Sequence, residues 1–295
     1  MKKIAFCFPG QGSQLPGMGK EIANSVPSAA SVYEEANEAA GFDVSAACFT
    51  GSIEDLLDTR IQQPALVATS LACLRAIEEK GLYPSAVVGH SVGEYAALAA
   101  CGVIDISSAI KLVRERGIAM AQVAKDHPGS MAAIIGGDDE QIKQLCSIDD
   151  TLTPANQNAP GQIIISGETN AIHQAIHQAK TIGIKRVMKL NVSGAFHSPL
   201  MEPAREELAA AIEKTTFSTP TCPIYQNVST TAVTDPAEIK KNLLFQLTAP
   251  VKWTQSVENM LKDGATEFIE VVPGKVLQGL VKKVDRQATT SSATI

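Results

Sequence analysis

One pentapeptide constrains this chain more than any other feature. Gly89-His90-Ser91-Val92-Gly93 follows the apolar run Ala86-Val87-Val88 and precedes a helical pattern over 94–100. A G-x-S-x-G turn between a strand and a helix is so tight that only small residues fit beside the serine. It lifts the Ser91 hydroxyl to the top of a sheet, at the N-terminus of the next helix. There the Val92 backbone N–H is placed to donate to a developing oxyanion, helped by the helix dipole. A second short apolar run, Ile4-Ala5-Phe6-Cys7-Phe8, stops at Pro9-Gly10. Continuous apolar runs of this length are the strands of a parallel sheet buried on both faces.

The periodicity around these strands is helical. Residues 28–40 end at Gly41, Leu66 to Ile77 recur at helical spacing before Gly81, and Asp105 caps a helix carrying Ile106, Ile110 and Val113. From about 129 the order changes to strand 131–135, helix 138–147, strands 152–156 and 162–166, helix 169–181 and strand 184–190. That β-α-β-β-α-β order is the pattern of a ferredoxin-like unit. Helix–strand alternation then resumes. It comprises a helix near 200–213, a strand near 223–228, and a helix from the Asp235-Pro236 cap to about 246. A helix from about 252 to Gly264, strand 268–272 and helix 275–284, after Pro273-Gly274, complete it. The Ser/Thr/Ala-rich segment Arg286–Ile295 reads as a frayed end. The expected architecture is α/β: an α/β-hydrolase-like core with a parallel sheet, formed by 1–126 and 196–295. A ferredoxin-like subdomain is inserted at 127–195.

Composition excludes several functions. With 25 Lys+Arg against 31 Asp+Glu the net charge is −6, which argues against nucleic acid as a partner. At 4% aromatic residues a base-stacking platform is also unexpected. The longest apolar runs fall short of a membrane span, and Lys2-Lys3 is followed by too short an apolar stretch for a signal peptide. Cys7, Cys48, Cys73, Cys101, Cys146 and Cys222 form no C-x-x-C pair and read as reduced thiols of a cytoplasmic protein.

A nucleophilic serine needs a base. His90 sits inside the turn and points away from Ser91. His127 precedes Pro128 in a loop, and His173 and His177 read as a solvated helix face better than as a metal pair. His197, where the chain returns from the inserted unit, is the expected base. Gly10-Gln11-Gly12-Ser13-Gln14 lacks the third glycine of a dinucleotide site, since position 15 is leucine. Its Gln11 N–H suits a second oxyanion donor from a strand-end loop.

Together these residues resemble the malonyl-CoA:acyl carrier protein transacylases and the related acyltransferase domains of polyketide synthases. The resemblance covers essentially the whole chain. It rests on the Gly10–Gln14 loop, Gln62-Gln63-Pro64-Ala65, the Ser91 pentapeptide with Glu94, and Arg116-Gly117 with Met120. Further matches are Asn156 to Gln162, Ala195-Phe196-His197-Ser198 and Pro273 to Leu277. It implies that Ser91 is the acylated nucleophile, His197 the base and then the acid, and the Gln11 and Val92 N–H groups the oxyanion hole. It implies that Arg116 binds the malonyl carboxylate and that the Gln246 main-chain carbonyl orients the histidine. Gln63 and Asn158 then line the pocket, and Phe196 narrows it beside the malonyl C2 carbon. From spacing alone Arg116 reads as a helix-surface residue beside Glu115. Val92 departs from the leucine that many discrete bacterial members carry, which alters pocket shape but not the backbone donor.

The resemblance implies ping-pong transfer of malonyl from malonyl-CoA to the phosphopantetheine thiol of an acyl carrier protein. No metal or other cofactor is required, and the family's default is a monomer. The pathway is expected to be fatty-acid synthesis, with a discrete polyketide acyltransferase or an acyl hydrolase on the same fold as alternatives. Lys185, Arg186, Lys189, Lys275, Lys282 and Lys283 are the candidate basic residues for an acidic carrier.

Overall fold

The computed structural model describes residues 2–272 and 274–293. Its strands are β1 Ile4–Phe8, β2 Ala86–Gly89, β3 Gly129–Ile135, β4 Thr153–Ala159 and β5 Gln162–Glu168, then β6 Arg186–Lys189, β7 Ile224–Tyr225, β8 Ala232–Val233, β9 Glu267–Glu270 and β10 Thr289–Ser292. They form two sheets. The larger has the order β10-β9-β1-β2-β7-β8 and is parallel except for the β7–β8 pair. The smaller is antiparallel throughout, in the order β4-β5-β3-β6.

The apolar run at the N-terminus explains the layering. Side chains alternate across a strand, so a run that is apolar at every position is stable only with both faces covered. Phe6 and Phe8 join the larger core with Val87 and Ile224, under the helices Pro27–Ala40, Thr59–Glu79 and Ile106–Asp126. Ala5 and Cys7 face the other way, into a core with Val88, Tyr225, Trp253 and Phe268. A third core, including Ile134, Ile165 and Ile172, lies within the antiparallel unit. Beyond its own sheet, β4 bonds to Val251, a residue of the core around Trp253, through Gln157 N–H to Val251 O at 2.8 Å and Val251 N–H to Ala155 O at 2.8 Å. All six cysteines are free thiols, four of them buried.

Helix boundaries follow the caps. Asp105 accepts from Ser108 N–H at 2.7 Å and Asp235 from Ala237 N–H at 3.1 Å. Pro64 lies inside the helix Thr59–Glu79 and has no N–H for Arg60 O, four residues back. The Arg114 guanidinium supplies that bond instead, at 2.9 Å.

Three expectations need correction. The C-terminal segment is not frayed: Thr289–Ser292 is a parallel edge strand on β9, with Ala288 and Ala293 buried on either side of it. Pairing with the open edge of β9 outweighs a polar composition that carries no strand signal of its own. Thr294 and Ile295 lie outside the described residues, as does Pro273. The strand near 223–228 is two residues long, and 226–227 turn inward to serve the site. The helix expected over 169–181 ends at Gln178. Two short helices, Lys20–Ser25 and Val44–Thr50, have no counterpart in the sequence reading. Among the described residues no helix is long and apolar enough to cross a membrane.

Candidate active site

The site lies at the carboxyl ends of β1 and β2, where parallel α/β sheets hold their ligands. Ser91 follows β2 closely, with φ of 52°. The turn is enforced by its glycines. A Cβ on Gly89 would lie 2.1 Å from the Gly93 carbonyl carbon, and one on Gly93 would lie 2.1 Å from Phe8 O. Both contacts are to backbone, which cannot move aside.

Ser91 Oγ lies 2.7 Å from His197 Nε2. His197 comes from the loop after β6 and also holds positive φ, 56°. Its Nδ1 lies 3.0 Å from Gln246 O and 3.3 Å from Ala249 O. A carbonyl oxygen only accepts, so Nδ1 carries the proton and Nε2 presents its lone pair to the serine. Burial, reinforced by the nearby Arg116 cation, pushes the His197 pKa down to about 3. The imidazole is therefore neutral at neutral pH, with the Nε2 lone pair facing the serine hydroxyl.

Arg116 is 1% exposed, which overturns the surface position its spacing suggests. Gly117 is the cause. A Cβ there would lie 2.5 Å from Thr59 O, so the helices Ile106–Asp126 and Thr59–Glu79 approach closely and the arginine turns inward. Its Nη1 donates to Gln63 Oε1 at 2.8 Å, and its Nη2 donates to Ser91 Oγ at 3.1 Å and to Gln246 Oε1 at 3.4 Å. Because Ser91 Oγ accepts from Arg116, its own proton is free to point at His197. Gln63 is held in turn by Met120 Sδ, 3.2 Å from its Nε2. Among the described residues Arg116 has no carboxylate in salt-bridge reach, and its Nε is unpartnered. Burial lowers its pKa, but a guanidinium retains its charge at neutral pH. The buried Glu94 carboxylate is near enough to favour the charge but not to bond it, so an anionic ligand in the cavity would complete the site.

A cavity of about 130 Å³ opens beside Ser91. Gln11, Gln63, Val92, Arg116, Asn158, Phe196 and His197 line it, so the structure brings together every expected wall residue. Gln246 stands behind it. His90 also lines the cavity, with Nε2 2.8 Å from Asn158 Oδ1 and its ring 5.6 Å from that of Trp253. It is thus a wall residue that the sequence reading treats only as a poor base. The other miss is a buried group under the turn, Glu94, Gln226 and Asn227. A carboxylate inside the otherwise apolar helix Gly93–Ala100 was the available signal for it. His127, His173 and His177 are exposed and remote from the cavity walls. The six basic residues are all exposed but do not form one patch. Arg186 and Lys189 lie on β6, at one edge of the antiparallel sheet, and Lys185 directly precedes that strand. Lys282 and Lys283 ride on the helix Val276–Val284, which packs against β4 at the opposite edge, and Lys275 precedes that helix.

A serine at a nucleophile elbow, a carbonyl-oriented histidine and a buried unpaired arginine at the end of a parallel sheet define an acyl-transferring site. The chain belongs to the acyl transferase domain family, whose family model matches residues 5–295. It is 43% identical to the malonyl CoA-acyl carrier protein transacylase of Bacillus subtilis (strain 168), over 98% of this chain and 93% of that one. Among solved structures it resembles the acyl-carrier-protein S-malonyltransferase of Bartonella henselae, with TM-score 0.95 and 38% identity over 99% and 96% of the two chains. It also resembles a malonyl-transacylase solved in complex with a type II PKS acyl-carrier protein, with TM-score 0.94 and 38% identity over 100% and 96%.

Proposed function

We propose that this chain transfers a malonyl group from malonyl-CoA to the phosphopantetheine thiol of an acyl carrier protein, in fatty-acid synthesis, by a ping-pong route. The observation that carries the reading is Arg116, a buried cation with no carboxylate in salt-bridge reach among the described residues, whose Nη2 lies 3.1 Å from Ser91 Oγ. A malonyl carboxylate would complete it with two parallel hydrogen bonds and hold the thioester carbonyl near the serine. Ser91 then attacks the carbonyl carbon as its proton passes to His197 Nε2. The oxyanion rests on the N–H groups of Gln11 and Val92. The C–S bond breaks, coenzyme A leaves with the proton from His197, and a malonyl-serine ester remains. The carrier thiol attacks that ester, giving its proton to His197, and Ser91 leaves as the alcohol. The Gln246 and Ala249 carbonyls supply the orientation that a carboxylate supplies in a Ser-His-Asp triad. These groups account for both half-reactions, so we assign the chemistry no metal or redox cofactor.

We read the larger sheet as an α/β-hydrolase-like core and the unit within 127–195 as a ferredoxin-like subdomain. The element order β3, helix, β4, β5, helix, β6 and the strand order β4-β5-β3-β6 support the second label. We take the protein to act as a cytoplasmic monomer, and the residues on the two edges of the small sheet to offer separate basic contacts for the carrier.

The test is intact-protein mass spectrometry after brief mixing with malonyl-, acetyl- or methylmalonyl-CoA, with and without carrier protein. A malonyl adduct on the wild type, absent from Ser91→Ala and discharged onto the carrier, is expected. An acetyl adduct in preference to malonyl, or release of free acid without carrier, would overturn the reading.

A further inference from the structure

The turn that holds Ser91 is gripped by a side chain that does not line the cavity. Asn227 lies just beyond β7, 1% exposed. Its Oδ1 accepts the Ser91 backbone N–H at 2.8 Å, and its Nδ2 donates to Gly89 O at 2.6 Å. One carboxamide therefore spans the turn, bonding the residue before His90 and the residue after it. The bonds are directional, so they fix the rotation of the peptide units that set Ser91 at φ of 52°. A non-glycine residue in that region persists only where its surroundings over-determine it.

Asn227 is itself fixed. The Glu94 carboxylate, fully buried, accepts the Asn227 backbone N–H at 2.8 Å and Gln226 Nε2 at 3.1 Å. Gln226 Nε2 also donates to Ile239 O at 3.0 Å, and its Oε1 accepts from Asn242 Nδ2 at 3.0 Å. Thus the amide pair is tied to the helix Pro236–Gln246. The last residue of that helix closes the circuit. Gln246 donates from Nε2 to Ser91 O at 3.0 Å, while its main-chain oxygen faces His197 Nδ1 at 3.0 Å. Asn227 O also accepts Lys252 N–H at 3.2 Å, three residues beyond the Ala249 carbonyl that faces His197. Both partners of the Ser91–His197 bond are thereby referenced to one buried polar network.

We propose that Asn227, anchored by Glu94, is a positioning residue that sets the Ser91 hydroxyl in line with His197 and so controls the rate of serine acylation. The claim rests on the serine-nucleophile reading above but not on the identity of the acyl group. A buried carboxylate in a stable helix has a bland explanation, namely that it holds the fold together. The two explanations differ in what they predict for a folded variant.

The test compares wild type, Asn227→Ala, Asn227→Asp and Glu94→Gln in three measurements. These are thermal midpoint, the kcat and KM for malonyl transfer from malonyl-CoA, and the rate of Ser91 labelling by a fluorophosphonate, which needs no malonyl recognition. Misplacement of a reacting group by about 1 Å costs on the order of 10²-fold in rate. Asn227→Ala is expected to lose about that factor in kcat and in labelling rate, with KM little changed. Asn227→Asp keeps the acceptor for Ser91 N–H and loses the donor to Gly89 O, so an intermediate loss is expected. Glu94→Gln leaves the carboxamide in place and decides the matter if Asn227→Ala does not fold; slowed labelling at a retained cooperative melt is expected. Wild-type labelling rates in every folded variant would overturn the proposal. A wild type that reacts with fluorophosphonate but not with malonyl-CoA would instead overturn the substrate reading and leave the labelling comparison to judge Asn227.

Discussion

Ser91 Oγ and His197 Nε2 meet at 2.7 Å although both residues hold left-handed backbone, at φ of 52° and 56°. Each such conformation costs a non-glycine residue on the order of 1–3 kcal/mol. The two turns flank the strands of the antiparallel sheet, 106 residues apart in sequence. Strain at both partners aims both side chains into one cavity, and buried hydrogen bonds hold the geometry. Four outcomes should follow.

The first concerns pH. The folded pKa of His197, about 3, lies below the ordinary histidine value of about 6.5. Between these values the unfolded chain binds a proton that the folded one does not, so stability falls as pH drops through this window. His197 contributes a slope of up to about 1.4 kcal/mol per pH unit there. Denaturant unfolding at a series of pH values should show His197→Gln losing that share of the slope. Serine acylation in the wild type should likewise persist well below pH 6. A shift of its acid limb to higher pH is expected in Arg116→Met, which removes the second cause of the depression.

In the proposed function Arg116 sets the preference for a charged acyl group. Arg116→Ala should cost on the order of 2–5 kcal/mol in transition-state binding of malonyl-CoA. Acetyl-CoA has no carboxylate for the arginine to bind and should lose far less. The measurement is kcat/KM for each thioester; equal losses for both would mean that the arginine serves Ser91, which it bonds, or the fold, and not the malonyl carboxylate.

Phe196 is 3% exposed, lines the cavity and precedes the base. Phe196→Leu should admit a methyl branch at malonyl C2. One methylene in an apolar pocket is worth about 1–3 kcal/mol, so the methylmalonyl-to-malonyl ratio of kcat/KM should rise roughly ten-fold or more. Competition between the two thioesters, read by mass spectrometry, reports the ratio directly.

The glycines of the turn should tolerate nothing larger. Gly93→Ala sets its Cβ against Phe8 O and Pro9 O, at 2.1 and 2.7 Å. Overpacking against side chains costs about 1–3 kcal/mol, and backbone yields less than a side chain does. A destabilisation at or above that range is expected in urea unfolding, together with loss of Ser91 labelling. Gly12→Ala is the contrasting control for crowding: its Cβ meets nothing within 4 Å, though φ of 100° still strains it.

Much of this protein is written locally. The all-apolar run Ile4–Phe8 needs cover on both faces, so it calls for a parallel sheet between helices. The glycines around Ser91 call for the tight turn, and Asp105 and Asp235 mark where helices begin. Each of these signals acts within a few residues, where backbone sterics and capping bonds operate, and can be read without knowing what lies opposite. Partners distant in sequence are a different matter. Spacing alone left Arg116 on a surface. Only the close approach of two helices at Gly117 and Thr59 buries it, and only the folded cavity sets it beside Ser91. His197 could be chosen from five histidines by where the chain returns, but its tautomer depends on the carbonyls of Gln246 and Ala249. The grip of Asn227 and Glu94 on the turn joins residues more than 130 apart and has no periodicity to betray it. The edge strand Thr289–Ser292 forms because β9 presents unpaired backbone, not because its own residues demand a strand. Local stereochemistry therefore determined most of the elements and the tight turn that presents Ser91. The base's proton, the buried cation and the closing strand were decided by long-range packing, because their energies come from groups that only the tertiary structure brings within bonding distance.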